Sequence, residues 1–291
     1  MRFMRPYKGL LTAVVTPFRA DGSVNEEAAV TIGRHLLHNG SDGLVIAGTT
    51  GEAATMTDEE QIELVRLLVG ELGGEGAMVV GAGSNDTRHA IHLTEAVIEA
   101  GAQAVLSVTP YYNKPNRRGI IAHFREVARA AAGTPVILYN IPGRTAVNMG
   151  PDLLAELAQI DGIEAVKQAN SDELQPIDGL AVLAGNDDIL AENLDQGGAG
   201  GICVASHVIG PEMKRLFDEP ERRAEIDAGL RDVYSTLFLT ASPTCTKAAL
   251  NLLGFEAGVC RLPMVDADEH ETAEVKAMLE RHGLLQRAAT A

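Results

Sequence analysis

The sequence predicts an α/β protein: a closed (β/α)8 barrel of the TIM type with a C-terminal helical appendage. Three observations carry that expectation. Short apolar runs alternate with amphipathic stretches eight times, and Gly, Pro, Asn or Asp marks each junction. Strand signals stop near residue 218, after which only helical patterns remain. The first strand-to-helix junction, Thr16-Pro17-Phe18-Arg19-Ala20-Asp21-Gly22, lacks the Gly-x-Gly-x-x-Gly fingerprint that would favour the alternative, an open doubly wound sheet.

Taken in order, residues 10–18 are the first strand, and Asp21-Gly22 turns the chain into a helix over 26–39. Ala28, Ile32, Leu36 and Leu37 share its apolar face and Gly40 caps it. Residues 43–48 are strand two. Thr57, followed by Asp58, Glu59 and Glu60, is an N-cap with early acids, and the helix it opens carries Ile62, Leu64, Leu67, Leu68 and Leu72. Strand three spans 78–83, its helix 86–100, strand four 104–109, the next helix 119–132 and strand five 136–141. A helix over 152–160 leads to strand six at 163–169. The pattern then thins: residues 171–178 hold at most two turns, interrupted by Pro176, before strand seven at 180–185. A helix over 189–196, a glycine-rich turn over 197–201, strand eight at 202–206 and a helix over 211–217 close the barrel. Helices over 221–239, 244–253 and 267–282 follow. The expected division is a barrel, 1–218, carrying the chemistry, and a helical region, 219–291, packed on it.

Composition narrows the function classes. With 291 residues, 46% of them hydrophobic, the chain can bury a large core. A net charge of -16 argues against nucleic acid or an anionic membrane as partner and favours small-molecule substrates. No apolar run approaches the ~20 residues of a membrane-spanning helix. The basic N-terminal stretch MRFMRPYKGLLTAVVTPF is interrupted by charge and proline before a leader's apolar segment is complete. Cys203, Cys245 and Cys260 are far apart, odd in number and without metal-ligand spacing, which argues against a disulfide scaffold or zinc site and fits a reducing cytoplasm. His35, His38, His89, His92, His123, His270 and His282 fall on expected helices and His207 just past strand eight; none has zinc spacing with a second ligand.

In such barrels chemistry sits at the strand ends. Strand six carries Lys167 among small and apolar neighbours, where an ammonium loses hydration and either snorkels to water or gives up its proton and becomes a nucleophile toward carbonyl carbon. For a lone lysine the ordinary reading is snorkelling or a salt bridge. Strand two ends in Gly48-Thr49-Thr50-Gly51-Glu52, a sharp turn exposing amide N–H groups beside two hydroxyls, fit for a carboxylate or phosphate. Strand four ends in Tyr111-Tyr112 and strand five in Tyr139, followed by Arg144: phenols for proton relay and a guanidinium for a carboxylate. Each alone is more often packing or a surface ion pair. Together they compose an amine nucleophile, a proton relay, a carboxylate clamp and an amide cradle.

These motifs (Gly-Thr-Thr-Gly-Glu at 48–52, Thr-Pro-Tyr-Tyr-Asn-Lys-Pro at 109–115, Tyr-Asn-Ile-Pro-Gly-Arg-Thr at 139–145, Val-Lys at 166–167 and Arg-Leu-Pro-Met at 261–264) resemble, in order, those of the family of pyruvate-dependent class I aldolases that contains dihydrodipicolinate synthase and N-acetylneuraminate lyase. The resemblance runs from residue 8 to about 265, and Pro-Gly-Arg after Tyr139 leans toward the synthase branch. It implies that Lys167 forms a Schiff base with pyruvate, whose carboxylate lies on the Thr49 and Thr50 amides. Tyr139 would relay protons and Thr49 would link it to Tyr112, which reaches toward a neighbouring subunit. Arg144 would engage the carboxylate of L-aspartate-4-semialdehyde, and Gly185 and Ile202 would line the pyruvate site. The implied product is 4-hydroxy-tetrahydrodipicolinate, in the diaminopimelate route to lysine, made by a cytoplasmic homotetramer, a dimer of dimers, without metal or organic cofactor. Another pyruvate aldolase of the family acting on sugar acids, or a catalytically silent relative, is the alternative.

The sequence departs from the family pattern at two places. Gln168-Ala169-Asn170 stands where an acid and a Gly-Asn turn are usual, and the stretch from Lys167 to Gly185 is several residues short, an expected loosening of the lysine's support. The positions of the family's lysine-inhibition site read Asp58, Gln61 and His89 beside Asn85 and Tyr111, so weak or absent inhibition is expected.

Overall fold

Eight parallel strands form a closed barrel, β1 (Gly9–Ala13), β2 (Gly43–Ile46), β3 (Ala77–Gly81), β4 (Ala104–Val108), β5 (Val136–Asn140), β6 (Ile163–Gln168), β7 (Ala181–Ala184) and β8 (Gly200–Cys203), in a computed structural model that describes residues 5–285. The first four residues of the N-terminal stretch and the last six of the expected helical region lie outside the described residues. Strands pair in chain order, and β8 closes on β1 through Gly9↔Gly200 and Leu11↔Ile202. Both faces of such a sheet are covered, which is why its strands read as nearly continuous apolar runs. Alternation sorts them: Leu11, Ala13, Val45, Val79, Leu106, Ile137, Ala165, Leu183 and Ile202 fill the barrel, while Leu10, Leu138, Val166 and Val182 face outward against helices.

Around the barrel lie α1 (Glu26–His38), α2 (Asp58–Leu72), α3 (Thr87–Glu99), α4 (Arg117–Ala130), α5 (Pro142–Thr145), α6 (Pro151–Leu157), α7 (Leu190–Asp195) and α8 (Ser206–Asp218). Their starts follow the caps in the sequence. Asn25 accepts the Ala28 N–H, Asn116 accepts the Gly119 N–H, and Thr57 with Glu60 forms a reciprocal capping box, each worth about 1 kcal/mol. Between β6 and β7 only a 3-10 turn, Ser171–Glu173, connects the strands, as the thin pattern there predicted.

Several expected boundaries are corrected by tertiary contacts. Strand one leaves the ladder at Ala13, not Phe18: Val15 N–H donates to His207 Nε2 and Thr16 Oγ1 to the Gly51 carbonyl, so loop and side-chain acceptors replace a neighbouring strand. Strand eight spans Gly200–Cys203 instead of 202–206, because part of the glycine-rich turn pairs with β1. Gly200 has φ +142°, and a Cβ there would lie 2.0 Å from the Gly9 carbonyl oxygen. The last barrel helix begins at Ser206, ahead of Pro211, by breaking its own geometry at Ile209 (φ -129°, ψ 35°). The helix expected over 152–160 is shortened to α6, and a separate single turn, α5, precedes it. The helix expected over 221–239 divides into α9 (Arg223–Ala228) and α10 (Arg231–Leu237) around Gly229.

α11 (Thr244–Leu252) and α12 (Glu269–Arg281) complete the chain. Ile226, Val233, Leu237, Val275, Met278 and Leu279 from these last helices belong to the same hydrophobic cluster as Leu10, Val166 and Val182 of the strands. Among the described residues no helix is long and apolar enough to cross a membrane.

Candidate active site

The site starts from a register. Along β6, alternation turns Ala165 and Lys167 into the barrel; along β5 it does the same for Ile137 and Tyr139. Val136 pairs with Ile163 but Ile137 pairs with Ala165, a one-residue shift that passes over Glu164. Glu164 accepts instead from the Tyr7 hydroxyl. After the shift Tyr139 stands directly opposite Lys167, on the same face; without it, Tyr139 would oppose outward-facing Val166. The result is an ammonium 4.3 Å from the centre of the Tyr139 ring, with both residues 7% exposed. Among the described residues Lys167 makes no hydrogen bond or ion pair that would tie up its nitrogen.

Both backbones are pinned. Thr109 donates to the Tyr139 carbonyl through its amide (3.0 Å) and its hydroxyl (2.8 Å). Gln168, 1% exposed, accepts from Asn140 Nδ2 at 2.9 Å and from the Asn170 N–H at 3.0 Å, while Met149 N–H donates to Asn140 Oδ1 at 2.9 Å. The expected loosening after Lys167 is therefore absent, since the departing glutamine is itself the lock. The buried amide oxygen accepts both bonds where a carboxylate would have added a charge.

Gly48–Glu52 lies across the cavity from β6. The turn is tight: Glu52 sits in the left-handed region at φ 54° and its N–H donates to the Thr49 carbonyl. Beneath it is a buried ionic cluster. Lys247 Nζ on α11 lies 2.6 Å from Glu52 Oε1, donates to the Val259 carbonyl at 2.6 Å and stands 4.5 Å from the centre of the Phe18 ring; burial lowers its pKa, and Glu52 raises it. Arg261 gives its backbone N–H to Glu52 Oε2 at 2.8 Å and places its guanidinium carbon 4.1 Å from the centre of the same ring. Ser242 donates to Thr50 Oγ1 at 3.3 Å.

A cavity of about 400 Å³ opens at the carboxyl ends of the strands. Thr49, Thr50, Tyr139, Arg144, Lys167 and Gly185 all line it. Arg144, carried by α5 at the rim, is exposed and engages no carboxylate among the described residues. Gly185 lets the chain after β7 approach β6 closely, because a Cβ there would lie 2.8 Å from the Gln168 carbonyl oxygen. Ile202 lies deeper, in the barrel filling, and Val204 takes its place on the wall. Tyr112 is outside the cavity altogether, 88% exposed and at φ 70°, whereas Tyr111 lines it. Among the described residues no three His, Cys, Asp or Glu side chains are grouped to hold a metal ion.

Four contributors were missed in the sequence. Asp187, 2% exposed, accepts the N–H groups of Val204 (3.0 Å) and Ala205 (2.8 Å); burial pushes its carboxyl up to about 6, against those hydrogen bonds and the Lys167 charge. An acidic pair just past a strand end was the available signal. Lys247 was a second lysine in an apolar run, on a helix instead of a strand. Phe238 and Ser242 line the cavity from the helical region, and no local pattern marked them.

The profile of the Dihydrodipicolinate synthetase family matches residues 6–282. The 4-hydroxy-tetrahydrodipicolinate synthase of Synechococcus elongatus is 38% identical over 291 residues, covering 96% of this chain and 97% of that protein. The Heliobacterium modesticaldum protein of the same name is 40% identical over 287 residues, 94% of this chain and 95% of that one. Among solved structures, the DHDPS of Cyanidioschyzon merolae with lysine bound superposes with a TM-score of 0.92 at 38% identity over 97% of this chain and all of that one. The Acinetobacter baumannii enzyme complexed with pyruvate gives 0.90 at 30% identity, over 95% of this chain and 99% of that chain.

Proposed function

The chain belongs to the Dihydrodipicolinate synthetase family, and from that premise we infer that it condenses pyruvate with L-aspartate-4-semialdehyde to 4-hydroxy-tetrahydrodipicolinate, a lyase step toward diaminopimelate and lysine. The observation that carries this reading is Lys167 Nζ, free of hydrogen-bond acceptors among the described residues and placed over the Tyr139 ring inside a cavity rimmed by Arg144.

Lys167 Nζ, as the free amine, attacks C2 of pyruvate; the C–N bond forms and the carbonyl oxygen, taking two protons, leaves as water. Tyr139, the hydroxyl-bearing neighbour, is the candidate to pass those protons. The protonated imine draws electrons, so the methyl carbon loses a proton and becomes the enamine. Its carbon attacks the aldehyde of the second substrate, whose carboxylate Arg144 holds as a fork. The Thr49 and Thr50 amides hold the pyruvate carboxylate, with Gly185 on the cavity wall.

Tyr112 supports a homotetramer, a dimer of dimers: a phenol that is 88% exposed at a strained φ gains from a partner, and Leu262 and Val265 are exposed apolar side chains as well. In that assembly Tyr112 would complete a neighbour's site through Thr49. We assign the chemistry to residues 1–218 and the cover over the cavity to 219–291, through Phe238 and Ser242. The absence of a long apolar helix among the described residues is compatible with a cytoplasmic location.

The test is intact-protein mass spectrometry after incubation with pyruvate and borohydride, beside Lys167→Ala. A single pyruvate-sized adduct, lost in the variant, is the expected result; no adduct, or one that survives the substitution, overturns the assignment.

A further inference from the structure

We propose that Arg261 and Lys247, both in the helical region, are positioning residues for pyruvate: acting through Glu52, they fix the Thr49–Thr50 turn that takes the substrate's carboxylate. The inference rests on the pyruvate reading above and deepens it. It also gives a role to the Arg-Leu-Pro-Met motif at 261–264, which the imine chemistry leaves unused.

The turn does not hold its shape by backbone preference. Glu52 sits at φ 54°, ψ 33°, a region that residues other than glycine keep only where their surroundings over-determine it. Here the surroundings are its own side chain's partners. The carboxylate is 3% exposed, with Oε1 against Lys247 Nζ at 2.6 Å and Oε2 accepting the Arg261 backbone N–H at 2.8 Å. The two partners are tied to each other, since Lys247 Nζ also donates to the carbonyl of Val259, two residues before Arg261. One carboxylate is thus gripped by α11 and by the segment that follows it.

The Arg261 side chain extends the grip to two loops. Its guanidinium donates to the Gly22 carbonyl, between β1 and α1, at 2.8 and 2.6 Å, and to the Thr55 carbonyl, after β2, at 2.9 Å. It also reaches both oxygens of Glu60 on α2, at 2.7 and 2.5 Å. A planar fork with five donors can span these acceptors, and an ammonium with three on a flexible stem cannot. Between the anchors stand the cavity residues Thr49 and Thr50. The Gly51 carbonyl beside them accepts from the Thr16 hydroxyl at 2.7 Å, and Thr50 Oγ1 accepts from Ser242 at 3.3 Å. The direction of a backbone N–H is fixed by the turn's dihedrals, and a hydrogen bond to a carboxylate weakens steeply when that direction swings away. Arg261 and Lys247 touch no substrate; they decide where two N–H groups point.

The initial rate of borohydride trapping over a pyruvate titration, read by intact mass, gives a half-saturating concentration and a ceiling. Misdirected amides raise the first, whereas a smaller folded fraction lowers only the second. Arg261→Lys, which keeps the charge and loses the fork, is expected to raise half-saturating pyruvate about tenfold at an unchanged ceiling. Glu52→Gln/Lys247→Met removes the ionic grip without leaving a buried charge unpaired, and should raise it about fivefold. Steady-state kinetics should show the same rise in KM for pyruvate, with kcat and KM for the aldehyde within about twofold of the parent. A half-saturation within about twofold of the parent in either variant means that the cluster only supports the fold and overturns the proposal. Trapping of the wild-type protein separates the two failures: no wild-type adduct removes the pyruvate-imine reading itself, whereas a wild-type adduct with unmoved half-saturation in a variant removes only the positioning role.

Discussion

Among the described residues two lysines are buried, and they are buried differently. Lys247, 2% exposed, has a carboxylate at 2.6 Å, a carbonyl at 2.6 Å and an aromatic ring under it. Lys167, 7% exposed, has a ring and open cavity and, among the described residues, no hydrogen bond or ion pair. The first nitrogen is fully committed to holding the Gly48–Glu52 turn against the helical region. The second is held in place by its strand, with no acceptor among the described residues to claim its nitrogen. Burial alone does not make a lysine reactive; burial without an acceptor does.

Substitution at each lysine breaks the comparison in opposite ways. Lys167→Ala should lower the condensation rate by more than about a thousandfold, since the covalent step is lost. Its unfolding free energy should fall by no more than about 1 kcal/mol, because the substitution breaks no hydrogen bond or ion pair among the described residues. Steady-state kinetics and urea unfolding of the same preparation check both halves.

Lys247→Met should do the reverse in stability, costing about 3–5 kcal/mol by leaving Glu52 buried without its partner. In Glu52→Gln/Lys247→Met most of that loss should return, and urea midpoints of the single and double variants measure it. A double variant as unstable as the single one would mean that the pair is more than charge compensation.

Protons sharpen the picture. Burial lowers His123 and His207 to about 4, so both are neutral in the fold, whereas an unfolded chain takes up a proton near 6.5. Stability supplied by these neutral rings is present above about pH 6.5 and drains as pH falls toward 4, by about 3 kcal/mol for each ring. Asp187, raised to about 6, takes up its proton in the fold first and offsets about one of them over the same window. Denaturation at pH 7 and pH 4.5 should therefore show a net loss, and a larger one in Asp187→Asn.

The smallest effect is expected at the rim. His89 Nε2 already donates to both Asp58 oxygens at 3.0 Å, and Gln61 donates to the Ala53 carbonyl at 3.1 Å, so these groups are occupied before any ligand arrives. Millimolar L-lysine should slow the reaction by less than about twofold. A rate titration with lysine decides it, and inhibition at micromolar lysine would contradict it.

Much of this was legible in the chain. Eight apolar runs, the caps at Asn25, Thr57 and Asn116, and an out-of-place lysine at a strand end are local signals, and local physics answers them: alternation decides which residues of one strand share a face, and an unpaired backbone donor selects its cap. The strand status of Gly200 was not legible, because a glycine run has the same composition whether it turns or lets β1 approach. Nor were the buried partners of Lys247, which come from residues far along the chain.

By itself, then, the sequence determined that Lys167 and Tyr139 each lie toward the end of a strand. That they face one another was decided only by the tertiary structure. The shift past Glu164 sets the register between β5 and β6, and a register belongs to two strands at once, to their shared hydrogen bonds and to the tyrosine at residue 7 that takes up the displaced carboxylate.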